Sequence, residues 1–275
     1  MTGAGLLVAH SPFSLALGGT QSRKKLGVAL LGLGNYSANL LAPALQHTEH
    51  CELRGIITGT ESKISKWQRK YGIQDSNVYT YDTIDEVANN KDIDVIYVVT
   101  PTGTHKDFAV KAANTGKHVW CEKPMAMNSD ECQAIIDACN KNGVTLSIGY
   151  RMQHEPNTRT FHHYLESMPY GKFKKVSSFA GYAGQGRDAS NWRMQQHMGG
   201  GALYDMGVYA INSARFLIGK EPLSVTGSHP PQRFPNKFTE VDETTMFTMD
   251  FGNGLMADCG TSVVTEFNHF KAECE

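Results

Sequence analysis

Leu26-Gly27-Val28-Ala29-Leu30-Leu31-Gly32-Leu33-Gly34-Asn35-Tyr36-Ser37 decides the fold. Leu26 to Leu31 is apolar apart from Gly27, as expected of a strand covered on both faces of a sheet. Two glycines one residue apart follow at once, and the stretch from Tyr36 to Gln46 reads as helical. In that setting Gly32 permits a tight turn, and Gly34 lets backbone N–H groups approach a pyrophosphate at a helix N-terminus, whose partial positive charge favours an anion. Ser37 stands at the third small position, where close packing is the requirement. Strand, loop and helix in this order favour a dinucleotide site over a plain strand-to-helix turn, with Gly32, Gly34, Asn35 and Tyr36 as candidate contacts.

As far as Ile148, short β-branched runs alternate with amphipathic stretches, the pattern of repeated βαβ units. Strands are predicted at Leu26–Leu31, Leu53–Thr58, Val95–Thr100, His118–Cys121 and Thr145–Ile148. Helices are predicted at Thr104–Asn114, ended by Gly116, and at Ser129–Asn140, ended by Gly143. The expectation is an α/β chain whose residues 26–150 form a doubly wound, parallel Rossmann domain. After Tyr150 the rhythm changes to a helix at Pro156–Ser167, a strand at Lys174–Ala180, a helix from near Gly201, and strands at Thr244–Asp250 and Gly254–Val264. Residues 151–275 are therefore expected to form an α+β substrate domain on an open, mostly antiparallel sheet.

The 275 residues carry a formal charge of −1, with Lys and Arg scattered, so nothing in the charge pattern draws in nucleic acid or an anionic bilayer. No run reaches the roughly 18 apolar residues of a membrane-spanning helix. The six cysteines are widely spread without a C-x-x-C pair and read as free thiols rather than a zinc or redox site. His162 and His163 are adjacent, and no His pair at i, i+4 accompanies a carboxylate, so no metal is expected. Residues 1–25 read either as a disordered leader or as a signal peptide lacking its basic start. The chain as written is expected to be cytoplasmic, and periplasmic if an upstream twin-arginine signal is missing.

A dinucleotide needs its adenine ribose recognised at the end of the second strand. There Thr58, Gly59 and Thr60 precede Ser62, Lys63 and Lys66, hydroxyls and cations that suit a 2′-phosphate, so NADP is the preferred cofactor. Glu61 keeps NAD open, because its carboxylate is near enough in sequence to reach the ribose. Thr100-Pro101-Thr102, with His105 just beyond, and Glu122-Lys123-Pro124 each follow a strand at the carboxyl edge, where ligands bind in such sheets. Asp205 and Tyr209, four apart after three glycines, share one helix face. A phenol beside an ammonium can take a proton from a hydroxyl as hydride leaves the same carbon, so Tyr209 is the candidate acid/base. The plainer reading of that pair is a helix-terminal charge and a core aromatic.

Gly32-x-Gly34, Glu122-Lys123-Pro124, Gly149-Tyr150-Arg151 and Asp205-x-Gly207-x-Tyr209, in this order, resemble the glucose-fructose oxidoreductase/inositol dehydrogenase/MocA family, nearest its glucose-fructose oxidoreductase branch. The resemblance runs from about Leu26 to the end of the chain. It implies a Rossmann domain joined to a domain with a large open sheet, NADP chemistry on monosaccharides, and a homodimer or homotetramer. Lys123 matches the family's catalytic lysine, Asp205 its substrate-binding aspartate, and Tyr209 the tyrosine that replaces a histidine of inositol dehydrogenases. Arg151, Trp192 and Arg193 resemble positions lining the substrate and nicotinamide pocket. Family members continue for several strands past the position of Glu275, so the second domain is expected to be incomplete. Two other classes stay open at this stage: a non-catalytic dinucleotide-binding sensor and an inactive fragment.

Overall fold

The structure is a computed structural model that describes residues 24–275. The leader and its export reading therefore lie, up to residue 23, outside the described residues. β1 (Leu26–Leu31), β2 (Cys51–Ile57), β3 (Val78–Tyr79), β4 (Val95–Val98), β5 (His118–Cys121) and β6 (Leu146–Ile148) form one sheet, ordered β3-β2-β1-β4-β5-β6 and parallel throughout. That order reverses direction between β1 and β4, which opens a crevice at their carboxyl ends. The helices α1 (Ala42–Leu45), α2 (Ile64–Tyr71), α3 (His105–Asn114) and α4 (Ser129–Lys141) cover its two faces.

The unbroken apolar run of β1 is explained by this double cover. Val28 and Leu30 pack with Leu45, Ile56 and Trp67 on one face, while Ala29 and Leu31 pack with Ile96, Ala109 and Ile135 on the other. Each large side chain so buried contributes about 1.5–3 kcal/mol. α4 begins where the sequence signals it: Asn128 Oδ1 accepts from the Glu131 N–H at 2.9 Å, and Glu131 Oε2 accepts from the Met127 N–H at 3.1 Å.

Beyond α5 (Pro156–Ser167), a second sheet contains β7 (Phe173–Gly181), β8 (Ser224–Ser228), β9 (Thr244–Asp250), β10 (Met256–Ser262) and β11 (Asn268–Cys274) in the order β11-β7-β10-β9-β8. β7 and β10 pair parallel and the other three pairings are antiparallel. α6 (Val208–Ile218) lies across it, with Ala210, Ala214 and Ile218 against Val176, Phe247 and Ala257. Among the described residues no helix is long and apolar enough to cross a membrane. All six cysteines are free, with Cys121, Cys139 and Cys259 buried.

Candidate active site

The glycine loop after β1 is shaped for a ligand at its front and locked at its back. Gly32 has φ 99°, and a Cβ there would lie 2.7 Å from the Val99 carbonyl oxygen. Gly34 and Asn35 are exposed at the mouth, and no atom lies within 4 Å of where a Gly34 Cβ would be. Ser37 is fully buried and donates its hydroxyl to the Gly32 carbonyl at 2.6 Å, so a serine serves at the third small position by closing the turn. The chain then makes a wide π-type turn at Ser37–Leu41, a form often found at functional sites. Lys63 reaches across from the end of β2 and donates from Nζ to the Leu33 carbonyl at 2.9 Å, arching over the loop.

Not every predicted cofactor residue faces that crevice. Thr58 is buried, and its Oγ1 accepts from the Thr60 N–H at 3.1 Å, so its hydroxyl finishes β2. Thr102 is buried where Gly199 packs on it, a Gly199 Cβ lying 2.7 Å from Thr102 Cβ. His105 requires the clearest correction: it is 1% exposed, with Nδ1 2.8 Å from the Pro124 carbonyl and Nε2 2.8 Å from the Thr100 carbonyl. It ties the Thr100 and Pro124 loops together instead of reaching a ligand, and burial lowers its pKa. Gly59, Thr100 and Pro101 remain at the edge, partly or fully exposed.

Lys123, Asp205 and Tyr209 converge although 82 residues separate the first two. Lys123 Nζ donates to the Asp205 backbone carbonyl at 2.7 Å and lies 4.4 Å from the centre of the Tyr209 ring. Arg193 Nε donates to Asp205 Oδ2 at 3.0 Å, and its guanidinium stacks 4.3 Å over Trp192. Arg151 approaches the other residues through the Tyr209 ring, 5.8 Å from its centre. Two further contacts join the two sheet systems here: Tyr204 donates to the Met127 carbonyl at 2.8 Å, and a Cβ on Gly103 would lie 2.6 Å from the His197 carbonyl oxygen. Asp205 sits in a second π-type turn, Leu203–Gly207, that runs into α6.

Burial dominates the charges of this cluster. It lowers the Lys123 pKa, against the pull of Asp205 and Glu122, while Arg193 and Arg151 lower it further. It raises the Tyr209 phenol, with Arg151 pulling the other way. The expectation that a neighbouring ammonium would leave the phenol easily ionised is therefore corrected: Lys123 lies over the ring face, and desolvation of the phenolate is the larger effect. Tyr36 is pushed up to about 12 by burial and by the negative Glu122.

Sequence reasoning missed Tyr182 and Arg187. With Arg193, Met194, Asp205 and Phe238 they line a cavity of about 290 Å³ beside Asp205, and its lining does not include Lys123 or Tyr209. Their only sequence signal is a run of glycines, Gly181, Gly184 and Gly186, that reads as loop. It also missed Tyr97, which donates to Glu122 Oε1 at 2.6 Å. A tyrosine inside an apolar strand looks like core.

Residues 26–150 match the oxidoreductase family with an NAD-binding Rossmann fold, GFO/IDH/MocA, and residues 158–275 match the GFO/IDH/MocA C-terminal domain. The solved aldose-aldose oxidoreductase of Caulobacter crescentus, complexed with glycerol, is 34% identical with a TM-score of 0.87, covering 91% of this chain and 75% of its own. D-xylose 1-dehydrogenase (NADP(+)) of Haloarcula marismortui is 26% identical over 238 residues, 85% of this chain and 65% of that protein. The scyllo-inositol 2-dehydrogenase (NAD(+)) of Bacillus subtilis is 25% identical over 249 residues, 88% of this chain and 68% of that protein. The chain thus spans about two thirds of the length of these two curated relatives. With both of its halves matched, the chain belongs to the GFO/IDH/MocA oxidoreductase family.

Proposed function

We propose that this chain is an NADP-dependent oxidoreductase that moves a hydride to or from a hydroxyl-bearing carbon of a monosaccharide, with residues 26–150 holding the cofactor and 151–275 the sugar. The convergence of Lys123, Asp205 and Tyr209 at the carboxyl edge of the parallel sheet carries this reading. The glycine loop fits a pyrophosphate, since its front is open at Gly34 while its back is braced by Ser37. Lys63 over the loop, with Thr60 and Ser62 beside it, favours a 2′-phosphate and so NADP over NAD.

This edge would hold a nicotinamide, whose chemistry there would be to supply or accept the hydride. Tyr209 handles the proton at its phenolic oxygen: in reduction it donates to the carbonyl oxygen, and in oxidation it takes the proton of the sugar hydroxyl. Its raised pKa suits the donor role directly and makes oxidation dependent on pH. Lys123, anchored by the Asp205 carbonyl, lies on the ring face where a cation stabilises the phenolate, and it orients the sugar oxygen. The Asp205–Arg193 pair offers an acceptor and a donor side by side to adjacent sugar hydroxyls. As a family trait, a homodimer or homotetramer belongs to the same proposal. The test is to assay the purified chain for NADP and NAD reduction across a panel of aldoses and inositols. Turnover of at least one sugar with NADP is expected. Tight dinucleotide binding with no turnover on any of them would replace this reading with a sensor.

A further inference from the structure

Three neighbouring strands converge on one carboxyl group. Glu122, 8% exposed, follows β5, and Tyr97 on β4 donates its hydroxyl to Glu122 Oε1 at 2.6 Å. Gly149, just past β6, leaves the room they need: a Cβ there would lie 2.8 Å from the same oxygen and 3.1 Å from the Tyr97 hydroxyl. The Lys123 N–H donates to Oε2 at 3.3 Å, so each carboxylate oxygen has a donor. The Tyr97 ring meets Trp120 edge-on, 5.6 Å between centres, and lies on the sheet face that holds Val28 and Val95. The hydroxyl is thus placed by strand register rather than by a loop.

We propose that Tyr97 is a positioning residue for the hydride-transfer reaction: acting through Glu122, it fixes a carboxylate beside Lys123 and so sets the charge of the proton-handling groups. The kinetic side of this inference rests on the sugar-redox reading. A hydrogen bond donated to a carboxylate favours its ionised form, and here it opposes the burial that raises Glu122. The groups that act on Glu122 or are acted on by it are Tyr97 from β4, Cys121 and Lys123 at the end of β5, Arg151 after β6, Tyr36 from the glycine loop and Tyr209 from α6. A negative Glu122 helps keep Lys123 protonated against its own burial. Without the Tyr97 hydroxyl, Glu122 takes up its proton at higher pH, and Lys123 then loses its proton at lower pH.

The direct test is carbon NMR of protein labelled at glutamate carboxyls, with the Glu122 resonance assigned by its loss in Glu122→Gln. Tyr97→Phe keeps the ring and is expected to raise the Glu122 titration midpoint by about one pH unit. Gly149→Ala presses a methyl on the same oxygen and is expected to move the same resonance, which provides a second route if Tyr97→Phe folds poorly. In the kinetic arm, Tyr97→Phe is expected to lower kcat about tenfold, with KM for the sugar changed by no more than about twofold. Its basic limb should shift to lower pH, and Tyr97→Phe/Glu122→Gln should be no slower than Glu122→Gln alone. A Glu122 midpoint unmoved in Tyr97→Phe, or a double variant slower by the full Tyr97→Phe factor, would overturn the proposal. A wild-type chain that turns over no sugar overturns the redox reading, and the NMR titration still decides Tyr97.

Discussion

The turn after β1 and the turn before α6 both leave glycines, pass through a π-type turn, Ser37–Leu41 and Leu203–Gly207, and enter a helix at the same cleft. They present different chemistry. The first exposes backbone at Gly34 and Asn35 and ties the Ser37 hydroxyl inward to the Gly32 carbonyl. The second turns a carboxylate to Arg193 and a carbonyl to Lys123, and Tyr209 follows one turn later. On the proposed function, the ligands account for the contrast. A pyrophosphate is satisfied by N–H groups and a helix N-terminus, whichever residues carry them. A sugar's configuration is read by a few side chains whose absence leaves polar groups unpaired. Substitutions should therefore separate the two turns: in the first the glycines should dominate ligand binding, and in the second the side chains should.

The largest effect is expected on the side-chain turn. Lys123→Ala removes the cation from the Asp205 carbonyl and the Tyr209 face, and kcat should fall about a thousandfold while NADP still binds. Normal turnover in that variant would show that the second turn is not the chemical one. pH should divide the two directions of reaction. Because burial raises Tyr209, its phenol is protonated at neutral pH, so reduction should be flat below the phenol's pKa. Oxidation needs the unprotonated form and should speed up by as much as about tenfold per pH unit between roughly pH 7 and 9. Oxidation that slows as pH rises through that window would contradict the assignment.

The backbone turn makes a paired prediction. Gly34→Ala places its Cβ in open space, so thermal unfolding should match wild type while NADP affinity drops about tenfold by titration. Gly32→Ala combines a positive φ with a 2.7 Å clash on Val99 and should destabilise the fold itself by about 1–3 kcal/mol. If both variants unfold alike, the loop's front is not a ligand surface. The smallest effect is expected at Lys63, which is half-buried: Lys63→Ala should narrow the preference for NADP over NAD by several-fold, measured as a ratio of kcat/KM values.

The same contrast between backbone and side chain governs what could be read in advance. β1 and β5 lie at their predicted residues, β1 because a strand covered on both faces is a nearly unbroken apolar run. α5 also matches, its start marked by Glu155 accepting from the Thr158 N–H and Pro156 at the first turn. β8 went unread because Ser224-Val-Thr-Gly-Ser228 is exposed along its length and holds only one edge against β9. β11 went unread because charged and polar residues interleave Phe270 and Ala272. Motif and spacing singled out Lys123, Asp205 and Tyr209, which the fold brings together, while the roles given to them belong to the proposed function. His105 misled because a histidine at a helix start near the cofactor edge looks exposed, and only tertiary packing places two carbonyls against it. Tyr97 was invisible because its partner lies 25 residues away, just past the neighbouring strand.

The most direct test of the central claim is an isotope transfer experiment on the purified chain. An aldose deuterated at C1 is mixed with NADP, and the reduced nicotinamide is analysed by mass spectrometry for wild type, Lys123→Ala and Tyr209→Phe. The account predicts deuterium in the nicotinamide for wild type and strong suppression in both variants, each still binding NADP. Deuterium transfer undiminished in both variants, or none from any aldose in a wild-type chain that binds NADP, would contradict it.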